Sequence, residues 1–544
     1  MKHMNKCRKI KVLVKGWGEL SGCRGDNLGK LLASNGILPL PCGGRGLCGL
    51  CRVKILAGET NELTIYEKIH GIKKPWRLAC RVTVYDDLIV EVPKISEIKP
   101  IVYTLNIPIK NPDPLIKEIH SYKEIQKETF LYKQEHSNSL HTLLFNEKIV
   151  MTSPVKVRKI LLVDLGTTKI AYQVIDLKGN MIVEDVLINP LVRYGSDIIT
   201  RMSYILDDPG KLVEMMNDLH TSIEKLAREN NVCFILLAGN SVMEHIYLGL
   251  SIKSLAVKPY KPVLYGPFII YTGSYSTLVA PIIEGFVGGD AYSELIASLY
   301  MNMSKPYLII DLGTNTEVML VTEDKIYVTS TPAGPAFEGF ISRGSHIAFG
   351  GITRVWIKEI IDEKPVFGYS YIGSPQGLLG AGVLSLVASL YAKGFIDKSG
   401  RFVKGYANTD SGKAFIIDHK NNVLFTQRDL REFQKAYAAV KSAWRILLNK
   451  AGVNREDLKY VIISGSFGSA LSPKDLIVLG MVPLKDEERI VISGNLVLLG
   501  LKIMALKRDY YSKYNEIREK LYHINLADEP NYMDVWVKEL YFNS

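Results

Sequence analysis

Alternating apolar and polar residues mark strands early in the chain, and continuous apolar runs mark them later. Residues 9–15 (KIKVLVK) alternate with period two, the pattern of a strand with one face in a core. Residues 27–36 (NLGKLLASNG) carry apolar positions at helical spacing and close on glycine, which predicts a short helix. Residues 160–168 (ILLVDLGTT) form an apolar strand opening into Asp-Leu-Gly-Thr, and residues 307–315 (YLIIDLGTN) repeat it. Each copy runs on into a second strand ending in turn residues (AYQVIDLKGN, then TEVMLVTEDKI), so both read as β-hairpins with D-x-G-T at the tip. Pro281 to Ala297 opens a helix before the second hairpin, and Asp429 to Ala451 reads as an amphipathic helix. Tyr460 to Ala470 reads as a strand followed by Ser464-Gly-Ser-Phe-Gly468-Ser-Ala.

Between these regular parts, Ile95 to Pro154 loses clear period and gathers prolines at 100, 108, 112 and 114. It continues into a polar, charged stretch around Ile116 to Phe145 that is expected to be helical, and the whole is read as a linker or spacer. The domain plan is therefore 1–96, a spacer at 97–155, two α/β lobes at 156–300 and 301–503, and a C-terminal tail at 504–544.

The chain has 544 residues, 47% of them hydrophobic and 23% charged, a globular composition too long for one core. No apolar run approaches a bilayer span and no secretory h-region follows the basic first residues, so a cytoplasmic protein outside the membrane is expected. The net charge of +11 is concentrated: residues 1–100 hold 18 lysines and arginines against 9 acids, leaving +2 for the rest. No basic stripe with stacking aromatics accompanies it, so no nucleic-acid partner is expected. The basic face reads either as a docking surface for an acidic redox partner or as solvated lysines.

Six of the seven cysteines fall in the first 80 residues. Four of them, Cys42, Cys48, Cys51 and Cys80, follow C-x5-C-x2-C-x28-C, with glycines at 43, 44, 46 and 49 in the first loop. Three thiolates from one loop must converge on two irons, and the glycines permit the tight backbone and leave room for the group. Strand, helix, glycine-rich loop and strand, with a distant fourth cysteine, resemble a β-grasp ferredoxin carrying a [2Fe–2S] cluster. A four-cysteine zinc site is the competing reading, although Cys80 stands outside any second C-x2-C knuckle. Cys7, Cys23 and Cys233 have no matching pattern and read as buried or free thiols.

An apolar strand ending in Asp-x-Gly-Thr suits phosphate. The glycine lets backbone amides approach the oxygens, the hydroxyls donate, and the aspartate can hold a hydrated Mg²⁺. The candidates are Asp164, Gly166, Thr167 and Thr168 in the first copy and Asp311, Gly313, Thr314 and Asn315 in the second. Together they resemble the two phosphate loops of the actin, sugar-kinase and chaperone (ASKHA) superfamily, whose duplicated lobes clamp ATP. Gly465, Ser466 and Gly468 match the place of that superfamily's adenosine loop. Asp290 is the candidate for orienting an attacking water, with a first-turn helix acid as the alternative.

Taken in order, further segments resemble one family: the reductive activators of corrinoid-dependent enzymes, which join a ferredoxin domain to an actin-like ATPase body. They include CGGRGLCGLC at 42–51, VDLGTTKIA at 163–171, NPLVRYGSDII at 189–199, AGNSVMEH at 238–245, GFVGGD at 285–290 and DLGTNTEV at 311–318. AGPAFEG at 333–339, TQRDLREFQKA at 426–436 and GSFGSALSPKDLIVLGMVP at 465–483 follow. The resemblance runs from about residue 8 to about residue 503 and leaves the tail unplaced. Departures occur at Ser241-Val242, at 342–351 and at 373–382, and they bear on partner identity.

The resemblance implies catalytic roles for Asp164, Asp290 and Asp311, with ATP and Mg²⁺ as cofactors beside the cluster. It implies a corrinoid protein or corrinoid-dependent methyltransferase and a low-potential electron donor as partners. The oligomeric state is left open, a homodimer included. Rival readings are a small-molecule kinase with an appended ferredoxin, a nucleotide-gated redox adaptor, and an ATP-dependent reductant of another metalloenzyme.

Overall fold

The computed structural model describes residues 8–35, 37, 38, 40, 44, 51–69, 72–92, 107–119, 141–145, 148–153, 159–195, 197–232, 234–271, 275–339, 341, 344, 350–465 and 471–542. β1 (Lys9–Val14) alternates exposed and buried positions as expected and pairs antiparallel with β2 (Gly18–Cys23). Helix α1 (Leu28–Ser34) starts where the Asn27 side chain accepts the Lys30 N–H. β3 (Arg52–Ala57), β4 (Trp76–Leu78) and β5 (Leu88–Glu91) complete a sheet of order β2-β1-β5-β3-β4. β5 is parallel to β1, and the core gathers Val12, Leu28, Leu32, Val53 and Val90. Cys23, expected as a thiol, is disulfide-bonded. Cys7 and Cys233 lie outside the described residues.

The expected helix around Ile116 to Phe145 is corrected where it is described. β6 (Ile116–Ile119), β7 (His141–Phe145) and β8 (Lys148–Ser153) form an antiparallel sheet. Local runs such as Leu143-Leu144-Phe145 and Ile149-Val150-Met151 suit strands, and pairing between them outweighs the charged composition around them.

The rest of the chain is built on two six-stranded sheets that share a five-strand order, the sixth strand of each lying at the opposite edge. In the first, β9 (Lys159–Leu165), β10 (Lys169–Asp176) and β11 (Met181–Ile188) are antiparallel neighbours. β12 (Phe234–Gly239) then pairs parallel to β9, and β13 (Phe268–Tyr271) and β14 (Ser276–Val279) close the order β11-β10-β9-β12-β14-β13. In the second, β15 (Tyr307–Asp311), β16 (Asn315–Val321) and β17 (Ile326–Pro332) repeat the antiparallel trio. Two long strands, β18 (Gly351–Ile361) and β19 (Lys364–Ile372), form a separate ribbon, and β20 (Ala407–Thr409), β21 (Gly412–Asp418) and β22 (Val423–Thr426) form a three-stranded sheet. β23 (Tyr460–Ser464) and β24 (Ile490–Gly494) then run parallel to β15, as β12 and β14 do to β9.

Helix α2 (Gly289–Tyr300) precedes the second hairpin and starts inside the expected segment. α3 (Gln427–Ala451) has a full capping box between Thr426 and Asp429 and ends at Gly452 in the left-handed region, φ 65°. α4 (Leu496–Leu506) is buried along its whole length. One core holds Leu162 of β9, Ile309 of β15, Leu295 of α2 and Leu499 of α4, so the two helices lie between the two sheets. They touch backbone to backbone, since a Cβ on Gly500 would fall 1.8 Å from the Ser293 carbonyl oxygen. The outer faces have their own cores, Leu161 with Leu219 on the first sheet and Leu308 with Trp444 on the second.

The segments read as spacer and tail are stitched into this body. Leu115 is fully buried, and Asp113 and Leu115 donate backbone N–H bonds to Leu506 and Ala505. The tail supplies β25 (Leu521–His523), parallel to β17 at the edge of the second sheet, and α5 (Tyr532–Glu539) on α3. There Lys441, buried, bonds Glu539 at 2.8 Å, and Phe542 is fully enclosed. Three-residue strands and non-local pairing leave little period to read in a sequence. Among the described residues, no helix is long and apolar enough to cross a membrane.

Candidate functional site

Two sites emerge, one at each end of the chain's chemistry. In the N-terminal domain, Cys51 immediately precedes β3 and Cys80 sits in a 3-10 turn after β4. The Ala79 N–H donates to the Cys51 carbonyl at 2.7 Å, joining the two segments, and both cysteines are buried. Gly44 takes φ +77°, which L side chains rarely adopt, and lies beside Cys80. Helix α1 is pressed onto the same turn: a Cβ on Gly29 would meet Cys80 Cα at 2.7 Å, and Asn27 donates to the Cys80 carbonyl. Cys42 and Cys48 lie outside the described residues. The thiols of Cys51 and Cys80, carried on these joined segments, fit iron–sulfur ligation, and β4 is firmly held. Buried Glu67 accepts from Arg77 Nε at 2.8 Å and from the Leu78 N–H at 3.0 Å. That pairing with Arg77 and backbone donors holds Glu67 below its ordinary carboxylate range despite burial.

The second site lies between the two sheets. Asp164 at the end of β9, Asp311 at the end of β15 and Asp290 in the first turn of α2 are half-buried. Beneath them, Glu244, Glu294 and Glu317 are almost fully buried. Asp164, Asp290 and Asp311, singled out from the sequence, thus share one cleft with three glutamates that were not. Glu294 was findable, being four residues after Asp290 on one helical face, and so was Glu317, a lone acid in an apolar strand. Neither Glu244 nor Asn495, the N-cap of α4, carries such a local signal.

Crowding acids in a poorly solvated cleft disfavours their ionisation. Burial, and then the charge of Asp290, push Asp164 up to about 7 against the Asn495 amide donating to it at 2.6 Å. Burial pushes Asp290 to about 6 while backbone N–H groups, Ala291 at 2.8 Å among them, oppose it. Glu244, Glu294 and Glu317 lie well above the ordinary range, first from burial and then from neighbouring carboxylates. The Ser464 hydroxyl meets both Glu294 and the Gly494 carbonyl. One hydroxyl proton cannot satisfy two acceptors, so a protonated Glu294 completes the pair. One oxygen each of Glu244 and Glu294 has no hydrogen-bond partner, as expected of acids awaiting protons or a cation.

The loops approach closely. A Cβ on Gly465, φ +114°, would lie 2.6 Å from the Leu312 carbonyl oxygen and 2.8 Å from Asp311 Oδ1. Gly239, at the equivalent place closing β12, would strike the Leu165 carbonyl at 2.9 Å. The Thr314 carbonyl accepts from Gly334, and the Thr316 hydroxyl donates to the Gly313 carbonyl. Gly166 and Thr167 form the first turn, Thr168 lies buried beside them, and Asn315 opens β16. Ser466 and Gly468 lie outside the described residues.

Two sheets sharing a five-strand order, each offering an Asp-Leu-Gly-Thr hairpin to an acid-lined cleft and together enclosing two helices, define an actin-like, ASKHA-type body, here preceded by a β-grasp ferredoxin domain. Family models match along the chain: the 2Fe-2S iron-sulfur cluster binding domain at 20–85, the RACo middle region at 161–304, and the C-terminal domain of RACo, the ASKHA domain, at 305–544. The chain belongs to the family of reductive activators of corrinoid-dependent enzymes. The last match includes the tail that the sequence resemblance had left unplaced.

The corrinoid activation enzyme RamQ of Eubacterium limosum is 27% identical over 578 residues, covering 93% of this chain and 94% of the relative. The [Co(II) methylated amine-specific corrinoid protein] reductase of Methanosarcina barkeri is 28% identical over 292 residues, covering 50% of this chain and 52% of that one. A solved reductive activator for a corrinoid, iron–sulfur protein covers 98% of both chains at 24% identity with a TM-score of 0.69, and shares the fold.

Proposed function

We propose that this chain is an ATP-dependent reductive activator that delivers one electron to the Co(II) corrinoid of a partner protein, restoring Co(I). The observation that carries the reading is the joining, in one chain, of a ferredoxin domain with buried Cys51 and Cys80 to a two-lobed cleft lined by Asp164, Asp290 and Asp311. Cys42, Cys48, Cys51 and Cys80 would ligate a [2Fe–2S] cluster, which supplies one electron at a time and offers no open site to substrate. In the cleft, Asp164 and Asp311 would hold hydrated Mg²⁺, and the turn amides and hydroxyls of Thr167, Thr168, Thr314 and Asn315 would donate to phosphate oxygens. Gly465, with Ser466 and Gly468 after it, would flank the adenosine. Asp290, raised to about 6, would orient the attacking water and accept its proton near neutral pH.

The energetic task is to favour the reduced state of a reluctant acceptor. Each tenfold preference for that state is equivalent to about 59 mV for one electron. Lobe closure on ATP supplies such a preference if partner affinity differs between open and closed forms. The family's electron donor would be a low-potential reductant, and a cytoplasmic site with a homodimer is compatible with the reading.

Anaerobic absorbance of a candidate Co(II) corrinoid protein, mixed with the cluster-loaded chain and a chemical reductant, tests this. MgATP-dependent appearance of Co(I) is expected. Reduction indifferent to MgATP would reject the ATP-driven role, and a phosphorylated small molecule in place of Co(I) would point to the kinase reading.

A further inference from the structure

The first phosphate loop is held from behind by two fully buried side chains belonging to the segment NPLVRYGSDIITR, residues 189–201. Asn189 Nδ2 donates to the Gly166 carbonyl at 2.7 Å, and the Asn189 N–H donates to the Thr168 carbonyl at 3.0 Å. Between them, Arg201 Nη2 donates to the Thr167 carbonyl at 2.5 Å. Both side chains are 0% exposed. Three consecutive carbonyls are thus drawn toward one pair of residues.

A planar trans peptide points its N–H opposite to its C=O. Fixing the carbonyls of Gly166 and Thr167 therefore turns the N–H groups of Thr167 and Thr168 away from Asn189 and Arg201, side by side. Consecutive amides aimed the same way are what an anionic oxygen requires. The guanidinium adds charge: a cation bonded to a peptide oxygen polarises that peptide and strengthens its N–H as a donor.

The two residues are themselves fixed. Asn189 Oδ1 accepts the Leu191 N–H at 2.8 Å and so caps the 3-10 turn Pro190–Tyr194. Arg201 Nε donates to the Gly195 carbonyl at 2.9 Å. Its helix, Ile198–Asp207, is capped by Asp197, which accepts from Thr200.

We infer that Asn189 and Arg201 are positioning residues that hold the first Asp-Leu-Gly-Thr loop in its phosphate-receiving form and bias it toward anions. This rests on the nucleotide reading proposed above. The buried pair acts through the backbone and touches no ligand, so its effect falls on the phosphate part of a nucleotide and spares the nucleoside.

The test uses the full chain with its cluster loaded. MgATP binding is followed by titration calorimetry and adenosine binding by saturation-transfer NMR, in wild type, Asn189→Asp, Arg201→Met and Arg201→Lys. Asn189→Asp keeps the acceptor for Leu191 and removes the donor to Gly166. Arg201→Lys keeps the charge and loses the fork. We expect MgATP to weaken about tenfold or more in Asn189→Asp and Arg201→Met, which is about 1.4 kcal/mol. Arg201→Lys should recover part of that loss, while adenosine binding and the cluster's visible spectrum stay unchanged. Parallel weakening of MgATP and adenosine, undiminished MgATP binding, or failure of both Asn189→Asp and Arg201→Lys to fold would overturn the assignment and leave these residues as scaffold. Wild-type protein that bound no MgATP would instead reject the nucleotide reading itself.

Discussion

The two Asp-Leu-Gly-Thr hairpins open alike and close differently. Asp164 lies opposite Ala171 in the first, whereas Asp311 lies opposite Glu317 in the second, one residue sooner. The glycines record the tighter turn: a Cβ on Gly166 would strike the carbonyl of Lys169, three residues on, and one on Gly313 that of Asn315, two residues on. A one-residue slip in a strand exchanges its faces. Where the first hairpin buries Ile170 in an apolar core, the second places Glu317 next to Asp311. The surroundings diverge in the same sense, with the Arg201 guanidinium behind the first loop and Glu294 near the second. Both loops keep the motif while register changes the charge beside each, so the proposed phosphate and cation roles, which both loops share, are expected to weigh toward phosphate at the first and toward the cation at the second.

Substitution of the aspartates would break this comparison most forcefully. Asp311→Asn on the acid-rich side should lower partner-stimulated phosphate release from MgATP roughly 100-fold or more. Asp164→Asn should cost less at saturating Mg²⁺, because acids beside Asp311 remain to hold the cation. Equal losses measured across a Mg²⁺ titration would erase the proposed division of labour.

Next in size come the glycines that let a neighbouring strand end reach each loop. Gly465→Ala puts a methyl 2.6 Å from the Leu312 carbonyl at a positive φ, and Gly239→Ala puts one 2.9 Å from Leu165 without that backbone demand. Gly465→Ala should therefore cost about 1–3 kcal/mol by thermal unfolding, with weakened MgATP binding, and Gly239→Ala less. The reverse order would place the tighter approach at the first loop.

Much of this was legible in the residues. The repeat of nine positions exposed the hairpins and their aspartates, because chemistry at a strand end depends on local sequence. Spacing similarly singled out four cysteines, of which Cys51 and Cys80 are described and lie on adjoining segments. The glutamates were hidden because each is distinguished by tertiary neighbours: Glu317 by a register that only pairing fixes, Glu244 by the Gly239 N–H it accepts at 3.0 Å. Asn189 was within a quoted motif, yet its role depends on which carbonyls it reaches. β6, β7 and β25 were missed for a related reason, since short strands gain their stability from partners remote in sequence.

The smallest effect concerns protons and sharpens the comparison at Glu317 itself. A carboxyl whose value is raised in the folded state binds its proton more tightly there than in the unfolded chain. Its stabilising contribution is complete below the ordinary value, 4.5 for Glu317, and is lost as pH rises through the folded value. Asp164, raised to about 7, and Asp290, raised to about 6, act in the same direction from 3.8 upward. The nucleotide-free protein should therefore melt at progressively lower temperature between about pH 5 and pH 8, and Mg²⁺ should restore part of the loss at the upper end, where it replaces the protons. Glu317→Gln keeps the shape of the neutral acid and removes its titration, so this one position becomes as indifferent to pH as Ile170 is at the corresponding place in the first hairpin. Its melting temperature should match wild type near pH 5 and exceed it at pH 8. Parallel melting curves for the two proteins across that range would mean that Glu317 is ionised in the fold, and that the shorter turn carries a permanent charge rather than a proton.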